Sequence, residues 1–395
     1  MDNKHTPLED REPFSLYVHI PYCISKCPYC DFNSHVVPNI PEGPYTDTLT
    51  KELEVYAEKE DWRGRTLKSI FFGGGTPSTF APASISKLLQ KTESHFPFEK
   101  DIEITLEANP GTVDSKNFTG YRASGVNRIS IGAQSFQPHL LKFLGRVHTA
   151  DETRKSLRIV REAGFENFNM DLIFAIPGQS LAHLKADLKE ALSFQPPHMS
   201  IYNLTFEEGT PFERQYRTGK IRSLPEEDEI SMAELIEETL AAHHLQRYEI
   251  SNYALNGLHS RHNVNYWQGG DYLGIGAGAH SYKRSREGDI WGHRWQNEKD
   301  PGRYMKQVAG KGQGMVETEA TDLNKATGEF MFLGLRMTRG ISIEVFFRRF
   351  GKNPDEFYPQ ITNWVEQGLM EVRDQRLRLT PRGLLVANSL FVSFV

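Results

Sequence analysis

The three cysteines of the chain are its clearest chemical signal, because all of them lie in the segment Cys23-Ile-Ser-Lys-Cys27-Pro-Tyr-Cys30. An odd number of thiols this close together cannot form a disulfide framework, whereas clustered thiolates are good metal ligands. Three thiolates on one loop can bind one face of a cubane iron–sulfur cluster and leave the fourth iron open to a substrate or cofactor. A Cys₃His zinc site completed by His19 or His35 is the alternative, and we favour the cluster over zinc.

Further candidate site residues, glycine or polar, stand in or directly after apolar runs that are predicted as strands. In parallel β/α folds, functional groups lie at the carboxyl ends of such strands. Gly73, Gly74 and Gly75 let a ligand approach the backbone closely, although such a run is also typical of a plain strand-to-helix turn. They are not a phosphate-binding loop, because no Gly-Lys-Ser/Thr follows. Glu107 closes the third run, either as a ligand-binding group or as a surface carboxylate. Asp171 lies inside the fifth run, where a carboxylate is costly unless it is paired, so we favour a functional role.

The elements that must position these residues alternate from residue 15 to about 205. Apolar runs separated by amphipathic stretches predict a parallel sheet with crossover helices. The predicted strands are 15–20, 67–72, 102–107, 128–131, 168–173 and 198–205, and the main predicted helices are 45–59, 84–94, 115–124 and 181–194. Six β/α steps are fewer than the eight of a closed barrel, so we expect an α/β fold with an incomplete (β/α)6 barrel. A doubly wound open sheet is the alternative.

The domain organisation follows from the same patterns. We expect an N-terminal arm (1–14), a barrel core (15–240), a loop-rich segment that completes the site (241–314) and a smaller C-terminal domain (315–395). Residues 251–300 are rich in Gly, His, Asn, Tyr and Trp and show little periodicity, which indicates loops that carry a site. The C-terminal domain reads as three helices (322–335, 343–350 and 354–367), a hairpin over 369–379 and a last helix from Pro381. That order predicts an α+β, winged-helix-like domain.

Composition and charge exclude several classes of function. No apolar run approaches the roughly 18 residues of a membrane span, and the polar N-terminus does not read as a signal peptide, so we expect a cytoplasmic protein. The net charge of −5 gives no electrostatic reason to expect nucleic acid as a partner. Basic and acidic residues are equally numerous from 316 to 395. The winged-helix-like domain therefore lacks the basic excess of a DNA-binding module, and we expect a structural or lid role.

The CxxxCxxC spacing after the first predicted strand resembles that of the radical S-adenosylmethionine (radical SAM) proteins. The likeness continues through Tyr17-Val-His-Ile-Pro-Tyr, Gly73-Gly-Gly-Thr-Pro, Glu107-Ala-Asn-Pro, Gln134-Ser-Phe, Arg146 and Asp171-Leu-Ile. In order and approximate spacing, these motifs resemble the oxygen-independent coproporphyrinogen III oxidase family, including its haem-chaperone relative. The resemblance covers about residues 15 to 380.

The resemblance implies a cofactor set and its binding residues. Cys23, Cys27 and Cys30 would hold a [4Fe–4S] cluster, and the amino and carboxylate groups of SAM would chelate the fourth iron. One electron, supplied to the cluster by a donor, would cleave SAM to methionine and a 5′-deoxyadenosyl radical. The residues placed around SAM are Tyr17, Tyr29, Gly73, Gly74, Gly75, Thr76, Glu107, Gln134, Arg146, Asp171, Thr205 and His280.

Two departures from the oxidase pattern disfavour coproporphyrinogen decarboxylation. Phe32 stands where the oxidases have the last cysteine of CxxxCxxCxC, and the segment before the first cysteine is short. His262-Asn-Val-Asn-Tyr266-Trp267 fits instead the HNxxYW motif of the haem-chaperone branch. Imidazole is a common axial ligand of haem, and Tyr and Trp rings offer flat apolar faces to a porphyrin. On the residues alone, a histidine satisfied among loop aromatics is the plain alternative.

We therefore expect a haem chaperone that binds a cluster, SAM and haem and passes the haem to an acceptor protein. The resemblance links such acceptors to membrane respiratory complexes, which would be contacted peripherally. The runner-up is the oxidase, which converts coproporphyrinogen III to protoporphyrinogen IX. A zinc-stabilised binding module without radical chemistry is the third hypothesis.

Overall fold

The computed structural model of the protein describes residues 12–112 and 114–394, so most of the expected N-terminal arm lies outside the described residues. The strands in chain order are β1 (Phe14–Ile20), β2 (Tyr22–Cys23), β3 (His35–Val36), β4 (Leu67–Gly74), β5 (Phe98–Ala108), β6 (Arg128–Gln134), β7 (Asn167–Phe174), β8 (His198–Asn203), β9 (Gln246–Arg247), β10 (Asn252–Ala254), β11 (Tyr272–Ile275), β12 (His280–Glu287), β13 (Ile290–Asn297), β14 (Met315–Thr321), β15 (Ile341–Ser342), β16 (Met370–Arg373) and β17 (Arg376–Leu379).

The α-helices alternate with these strands through the first half of the chain and dominate its end. They are α1 (Glu42–Glu58), α2 (Pro82–His95), α3 (Ser115–Ala123), α4 (Pro138–Phe143), α5 (Ala150–Glu162), α6 (Leu181–Ser193), α7 (Pro211–Arg217), α8 (Glu226–Ala242), α9 (Arg261–Trp267), α10 (Pro301–Lys311), α11 (Leu323–Gly334), α12 (Ile343–Phe350), α13 (Pro354–Phe357), α14 (Gln360–Glu366), α15 (Pro381–Leu385) and α16 (Ala387–Phe391).

Six strands, β1, β4, β5, β6, β7 and β8, lie side by side in chain order, and every neighbouring pair is parallel. Helices connect each strand to the next, as parallel pairing requires. The expected α/β fold with a partial (β/α)6 barrel is therefore confirmed. All six strands end at the same edge of the sheet, which is where the chemically distinctive residues stand.

Local sequence explains why these elements form where they do. The parallel strands are near-continuous apolar runs because both faces of the sheet are covered: in β1 six of seven residues are buried. Helix α5 begins with a capping box, in which the Thr149 hydroxyl accepts from the Glu152 backbone and the Glu152 carboxylate accepts from the Thr149 backbone. Such signals are readable from sequence, and the predicted helices differ from the observed ones by only a few residues.

The expectation of loops over residues 251–300 was wrong for nearly half of this segment, because four of its strands extend the large sheet. Strand β10 pairs with β8 at one end, and β11 pairs in parallel with β1 at the other, followed by antiparallel β12, β13 and β14. Strand β13 is only partly buried, so it shows no clean alternation of apolar and polar residues. Residues 315–321 had been assigned to the small C-terminal domain. They belong instead to the large sheet, because β14 pairs with β13.

The small domain has its own hydrophobic core and a three-stranded sheet in the order β15-β17-β16. The predicted hairpin turns at Asp374 and Gln375, both with positive φ. The helix expected over 354–367 is broken into α13 and α14. The break occurs at Tyr358, because the ring of Pro359 clashes with the residue before it and disfavours the helical conformation there. Across the described residues, none of the helices is both long and apolar enough to cross a bilayer.

Candidate functional site

A cavity of about 380 Å³ opens at the carboxyl ends of the parallel strands, and we call it the cluster cavity. It gathers all three cysteines and most of the residues that the resemblance placed around SAM. The predicted residues that line it are Cys23, Cys27, Cys30, Tyr29, Gly74, Gly75, Thr76, Glu107, Gln134, Arg146, Asp171 and Thr205. These residues come from six different segments of the chain, so their convergence is a property of the fold and not of one motif.

The cysteine loop follows β1, and two of its thiols receive hydrogen bonds. Cys23 Sγ accepts from the Thr76 hydroxyl at 3.4 Å, and Cys27 Sγ accepts from Arg146 Nη1 at 3.4 Å. Burial raises the pKa of the Cys23 and Cys30 thiols. A metal reverses this effect, since a coordinating thiol is deprotonated outright. Three thiols facing one cavity, with donors aimed at two of the sulfurs, are a donor set that suits an iron–sulfur cluster.

The two histidines of the zinc alternative face away from this donor set. His19 uses both ring nitrogens, with Nδ1 3.0 Å from the Tyr17 hydroxyl and Nε2 2.9 Å from the Asn33 carbonyl oxygen. His35 Nε2 lies 3.2 Å from Asn33 Oδ1. Both histidines line a neighbouring cavity and not the one that contains the thiols. A Cys₃His zinc site would need one of these rings to turn out of its present hydrogen bonds.

The glycine run is packed too tightly for any side chain. A Cβ on Gly75 would lie 2.7 Å from the Tyr22 carbonyl oxygen, and one on Gly74 would lie 2.5 Å from the His19 ring. Gly74 also has φ +114°, which disfavours other residues. Gly74 and Gly75 line the cluster cavity, whereas Gly73 packs against the Tyr17 and Phe71 rings and lines neither cavity. A Cβ on Gly74 would therefore displace His19 first, and it would disturb the ligand-facing backbone only indirectly.

Two carboxylates share the floor of the cluster cavity. Burial and the neighbouring Asp171 charge raise the pKa of Glu107 to about 8. Burial also raises the pKa of Asp171, against hydrogen bonds from Asn169 Nδ2 at 2.6 Å and Ser130 Oγ at 3.2 Å. Neither carboxylate has a salt-bridge partner among the described residues. This pair is the electrostatic arrangement that a cationic ligand would stabilise.

The end of β6 and the segment after it form another part of the cavity lining. Gln134 has φ +66°, a strained backbone position for a residue with a side chain. Arg146 reaches back to the cysteine loop, with Nη1 3.4 Å from the Tyr29 hydroxyl and Nη2 3.2 Å from the Gly132 carbonyl oxygen. Its Nε is buried and has no hydrogen-bond partner among the described residues. A guanidinium with an unused donor beside the thiols fits a carboxylate ligand.

A second, larger cavity of about 770 Å³ adjoins the first, and we call it the aromatic cavity. The two share the side chains or backbone of Lys26, Asp31, Phe32, Ser34, Gly74 and Glu107. Its aromatic lining residues are Tyr17, Phe32, Phe71, Tyr266, Trp267, Tyr272, Tyr282 and Phe330, and its basic ones are Lys26, Arg294, Lys299 and Arg349. Tyr17 and His280, which the resemblance placed around SAM, line this cavity and not the cluster cavity.

Of the three residues expected to bind haem, Tyr266 and Trp267 line the aromatic cavity, whereas His262 does not. His262 is 1 % exposed and lies outside the lining of both cavities. Its Nδ1 is 3.0 Å from the Ser69 hydroxyl and its Nε2 is 2.9 Å from the Tyr266 hydroxyl. Burial and the charges of Lys68 and Arg128 lower its pKa to about 3. The ring is therefore neutral, both of its nitrogens have partners in this structure, and Tyr266 rather than His262 lines the aromatic cavity.

Several cavity residues were not found from the sequence. Tyr272, Tyr282 and Arg294 lie on β11, β12 and β13, the strands that had been interpreted as loops. Phe330 comes from α11 of the small domain, and no local pattern links it to the cysteine loop. Thr205, which was expected, stands at the exposed margin of the cluster cavity and donates to the Glu207 carboxylate at 2.6 Å.

Known proteins resemble this chain along its whole length. The Radical SAM superfamily model matches residues 17–191, and the HemN C-terminal domain model matches residues 322–386. The chain is 38% identical over 387 residues to a protein named Heme chaperone HemW from Haemophilus influenzae, covering 97% of this chain and 98% of that one. It is 37% identical over 393 residues to the Heme chaperone HemW of Escherichia coli, again covering 97% and 98%. The chain belongs to the HemW family of radical SAM proteins.

A solved structure supports the fold assignment. The radical SAM coproporphyrinogen III oxidase (HemN) of Escherichia coli superposes with a TM-score of 0.81 at 23% identity, covering 97% of this chain and 90% of that one. At this identity the likeness concerns the fold alone. Membership of the radical SAM superfamily implies a [4Fe–4S] cluster and SAM, the cofactors that the cysteine spacing and the cluster cavity both fit.

Proposed function

We propose that the protein is a haem chaperone, which binds a [4Fe–4S] cluster and SAM in the cluster cavity and haem in the aromatic cavity, and delivers the haem to an acceptor protein. The observation that carries this proposal is the aromatic cavity itself. It is about 770 Å³ in volume, is walled by Tyr266 and Trp267 of the HNxxYW motif, and adjoins the cavity that contains the three thiols. The curated relatives carry the name of haem chaperones.

The residues of the cluster cavity divide the work of holding the cofactors. Cys23, Cys27 and Cys30 ligate the cluster, which when bound supplies an open iron and one electron for SAM cleavage. Arg146 binds the SAM carboxylate through its unpaired Nε and its Nη groups. The carboxylates Glu107 and Asp171 accept hydrogen bonds from the ribose and favour the positive sulfonium and ammonium groups of SAM. Tyr29, Gly74, Gly75, Thr76, Gln134 and Thr205 complete the walls.

The volume and the lining residues of the aromatic cavity suit a haem. Ligand cavities of this kind measure roughly 300–1,000 Å³ and are lined mainly by apolar and aromatic groups. Flat rings such as Tyr266 and Trp267 stack on a macrocycle, and Lys299 or Arg294 can pair with its propionates. Arg294 is held 2.8 Å from the Glu329 carboxylate, so it is already oriented along the cavity wall.

Phe32 favours the chaperone over the oxidase. It lines both cavities, is 60 % exposed and occupies the position of the cysteine in the oxidase motif. A phenyl ring can supply neither a proton nor a thiolate to a porphyrinogen propionate. The partners of the proposed chaperone are haem, an electron donor for the cluster and a haem-requiring acceptor, for which the family resemblance suggests membrane respiratory components.

The test uses one anaerobic, cluster-reconstituted preparation with SAM and reductant, divided between haem and coproporphyrinogen III. We expect a Soret band that saturates at one haem per chain, and no enzymatic turnover to protoporphyrinogen IX. Trp267→Ala should weaken the haem affinity, whereas Trp364→Ala, in the small domain and outside both cavities, should not. Transfer is tested by the recovery of activity in a haem-depleted respiratory membrane preparation. Turnover of the porphyrinogen would establish the oxidase instead.

A further inference from the structure

Three histidines line the aromatic cavity, and they differ in which ring nitrogens are available. His19 is committed on both sides to Tyr17 and Asn33, and His35 is bonded through Nε2 to Asn33. For His280, no hydrogen bond to either ring nitrogen occurs within the described part of the chain. Its side chain is exposed and stands at the start of β12, where the chain enters the cavity wall.

We propose that His280 supplies the axial nitrogen ligand to the haem iron in the aromatic cavity. This proposal rests on the proposed haem function. Neutral imidazole is a common axial ligand of haem iron, and the ring must be accessible from the cavity to reach it. His262 of the HNxxYW motif fails this condition because it is buried behind Tyr266. The motif then contributes the aromatic face, and His280 contributes the metal bond.

The backbone around His280 is fixed on both sides, which suits a ligand that must hold its direction. The Gly278 amide donates to the Glu298 carbonyl oxygen at 2.8 Å, and the Asn297 amide donates to the Ala279 carbonyl oxygen at 2.9 Å. His280 itself pairs with Gln296 in the β12–β13 ladder. A side chain that projects from such a rigid turn keeps its orientation better than one on a mobile loop.

The electrostatic surroundings agree with an iron-binding imidazole. Partial desolvation and the positive charges of Arg294 and Lys299 lower the pKa of His280. Its ring is therefore neutral at physiological pH, the form that donates a lone pair to a metal. The same two cations line the cavity and can take the haem propionates, so one face of the cavity offers both the axial bond and the carboxylate contacts.

The experiment compares haem complexes of the full-length, cluster-reconstituted protein. His280→Ala and the more conservative His280→Gln should lose the iron–imidazole signature in the resonance Raman spectrum and shift the Soret band, with unchanged iron–sulfur absorbance before haem is added as the check of folding. Loss of an outer-shell partner alone typically costs 10–100-fold in metal affinity, so we expect haem affinity to fall by about tenfold or more. In His280→Gly, added imidazole should restore the wild-type spectrum.

Two matched variants complete the design. His293→Ala, on β13 and outside both cavities, should bind haem like the wild type. His35→Ala tests the other partly available imidazole, and if it alone removes the ligation signature, the assignment to His280 is overturned. Wild-type spectra and affinity in both His280 variants overturn the assignment while leaving the haem chaperone in place. If haem titration of the wild type gives no saturable, protein-dependent change in the Soret band, the proposed function is overturned, and the assignment to His280 with it.

Discussion

His262, which is buried, and Tyr266, which is partly buried, form a pair on α9, with His262 Nε2 2.9 Å from the Tyr266 hydroxyl and the two rings nearly perpendicular at 88°. His262 is anchored on its other side by Ser69, so the pair links the barrel strand β4 to the wall of the aromatic cavity. The histidine of the motif thus holds the tyrosine, and the tyrosine faces the cavity. In this arrangement His262 is a positioning residue.

His262→Ala should therefore destabilise the protein but leave the iron–ligand signature of bound haem intact. Losing buried hydrogen-bond partners of this kind costs about 1–3 kcal/mol. Chemical denaturation and the Soret spectrum of the same variant measure the two effects separately. Tyr266→Phe keeps the ring and should bind haem with near-normal spectra and a smaller loss of stability. Disappearance of the iron–imidazole signature at unchanged stability would show that His262 itself is the ligand.

This pair also marks the limit of what the sequence could predict. The HNxxYW motif could be recognised in the sequence, and its aromatic residues Tyr266 and Trp267 do line the aromatic cavity. The burial of His262 depends on Ser69 and Glu103, which lie on β4 and β5, more than 150 positions earlier in the chain. No local pattern encodes such contacts.

The parallel strands were predictable because their runs are apolar and buried on both faces. Their carboxyl ends then had to share one edge, which placed Glu107, Gln134 and Asp171 beside the cysteine loop. The strands β12 and β13 were missed because partial burial removes the period-two pattern. Phe330 was missed because it reaches the cavity only through domain packing.

The cluster assignment predicts a sharp contrast between thiols and imidazoles. Cys27→Ala should abolish the brown chromophore after anaerobic reconstitution, since two thiolates cannot hold the cubane, and the same holds for Cys23 and Cys30. His35→Ala should retain full iron and sulfide content, because His35 lines the other cavity. Iron, sulfide and zinc analysis of both variants gives the answer. Zinc binding that depends on His35 would restore the zinc-stabilised module as the better hypothesis.

Arg146 should matter for SAM through the geometry of its guanidinium and not through its charge alone. Arg146→Lys keeps the charge but cannot bind a carboxylate in bidentate fashion, so SAM affinity should fall by roughly tenfold, or about 1.4 kcal/mol. The measurement is calorimetric titration of SAM into the reconstituted protein. Arg154→Lys is the matched control, because Arg154 pairs with Glu190 outside both cavities. Equal affinities in the two variants would remove Arg146 from the site.

Glu107 gives a prediction for pH. Its pKa is raised from 4.5 to about 8, so the folded protein binds this proton more tightly than the unfolded chain does. The stability of the ligand-free protein therefore falls as pH rises from about 4.5 to about 8, and each pKa unit corresponds to about 1.4 kcal/mol. Glu107→Gln removes the penalty, so its advantage over the wild type should grow between pH 5 and pH 8.5. Denaturation midpoints at both pH values measure it, and a constant difference would contradict the shift.

The small domain should contribute to haem binding through one face of α11. Phe330 and Phe332 both lie on this helix and both pack partly buried against the small-domain core, but only Phe330 lines the aromatic cavity. Phe330→Ala and Phe332→Ala each remove a comparable ring, so both should lower the stability of the protein, by up to about 3–5 kcal/mol for a fully buried phenyl group. Only Phe330→Ala should also weaken haem binding, because it removes an aromatic wall of the cavity.

Haem titrations at a temperature where both variants are folded separate the two effects. Equal haem affinities would confine the haem to the barrel side of the cavity and leave the small domain a purely structural part.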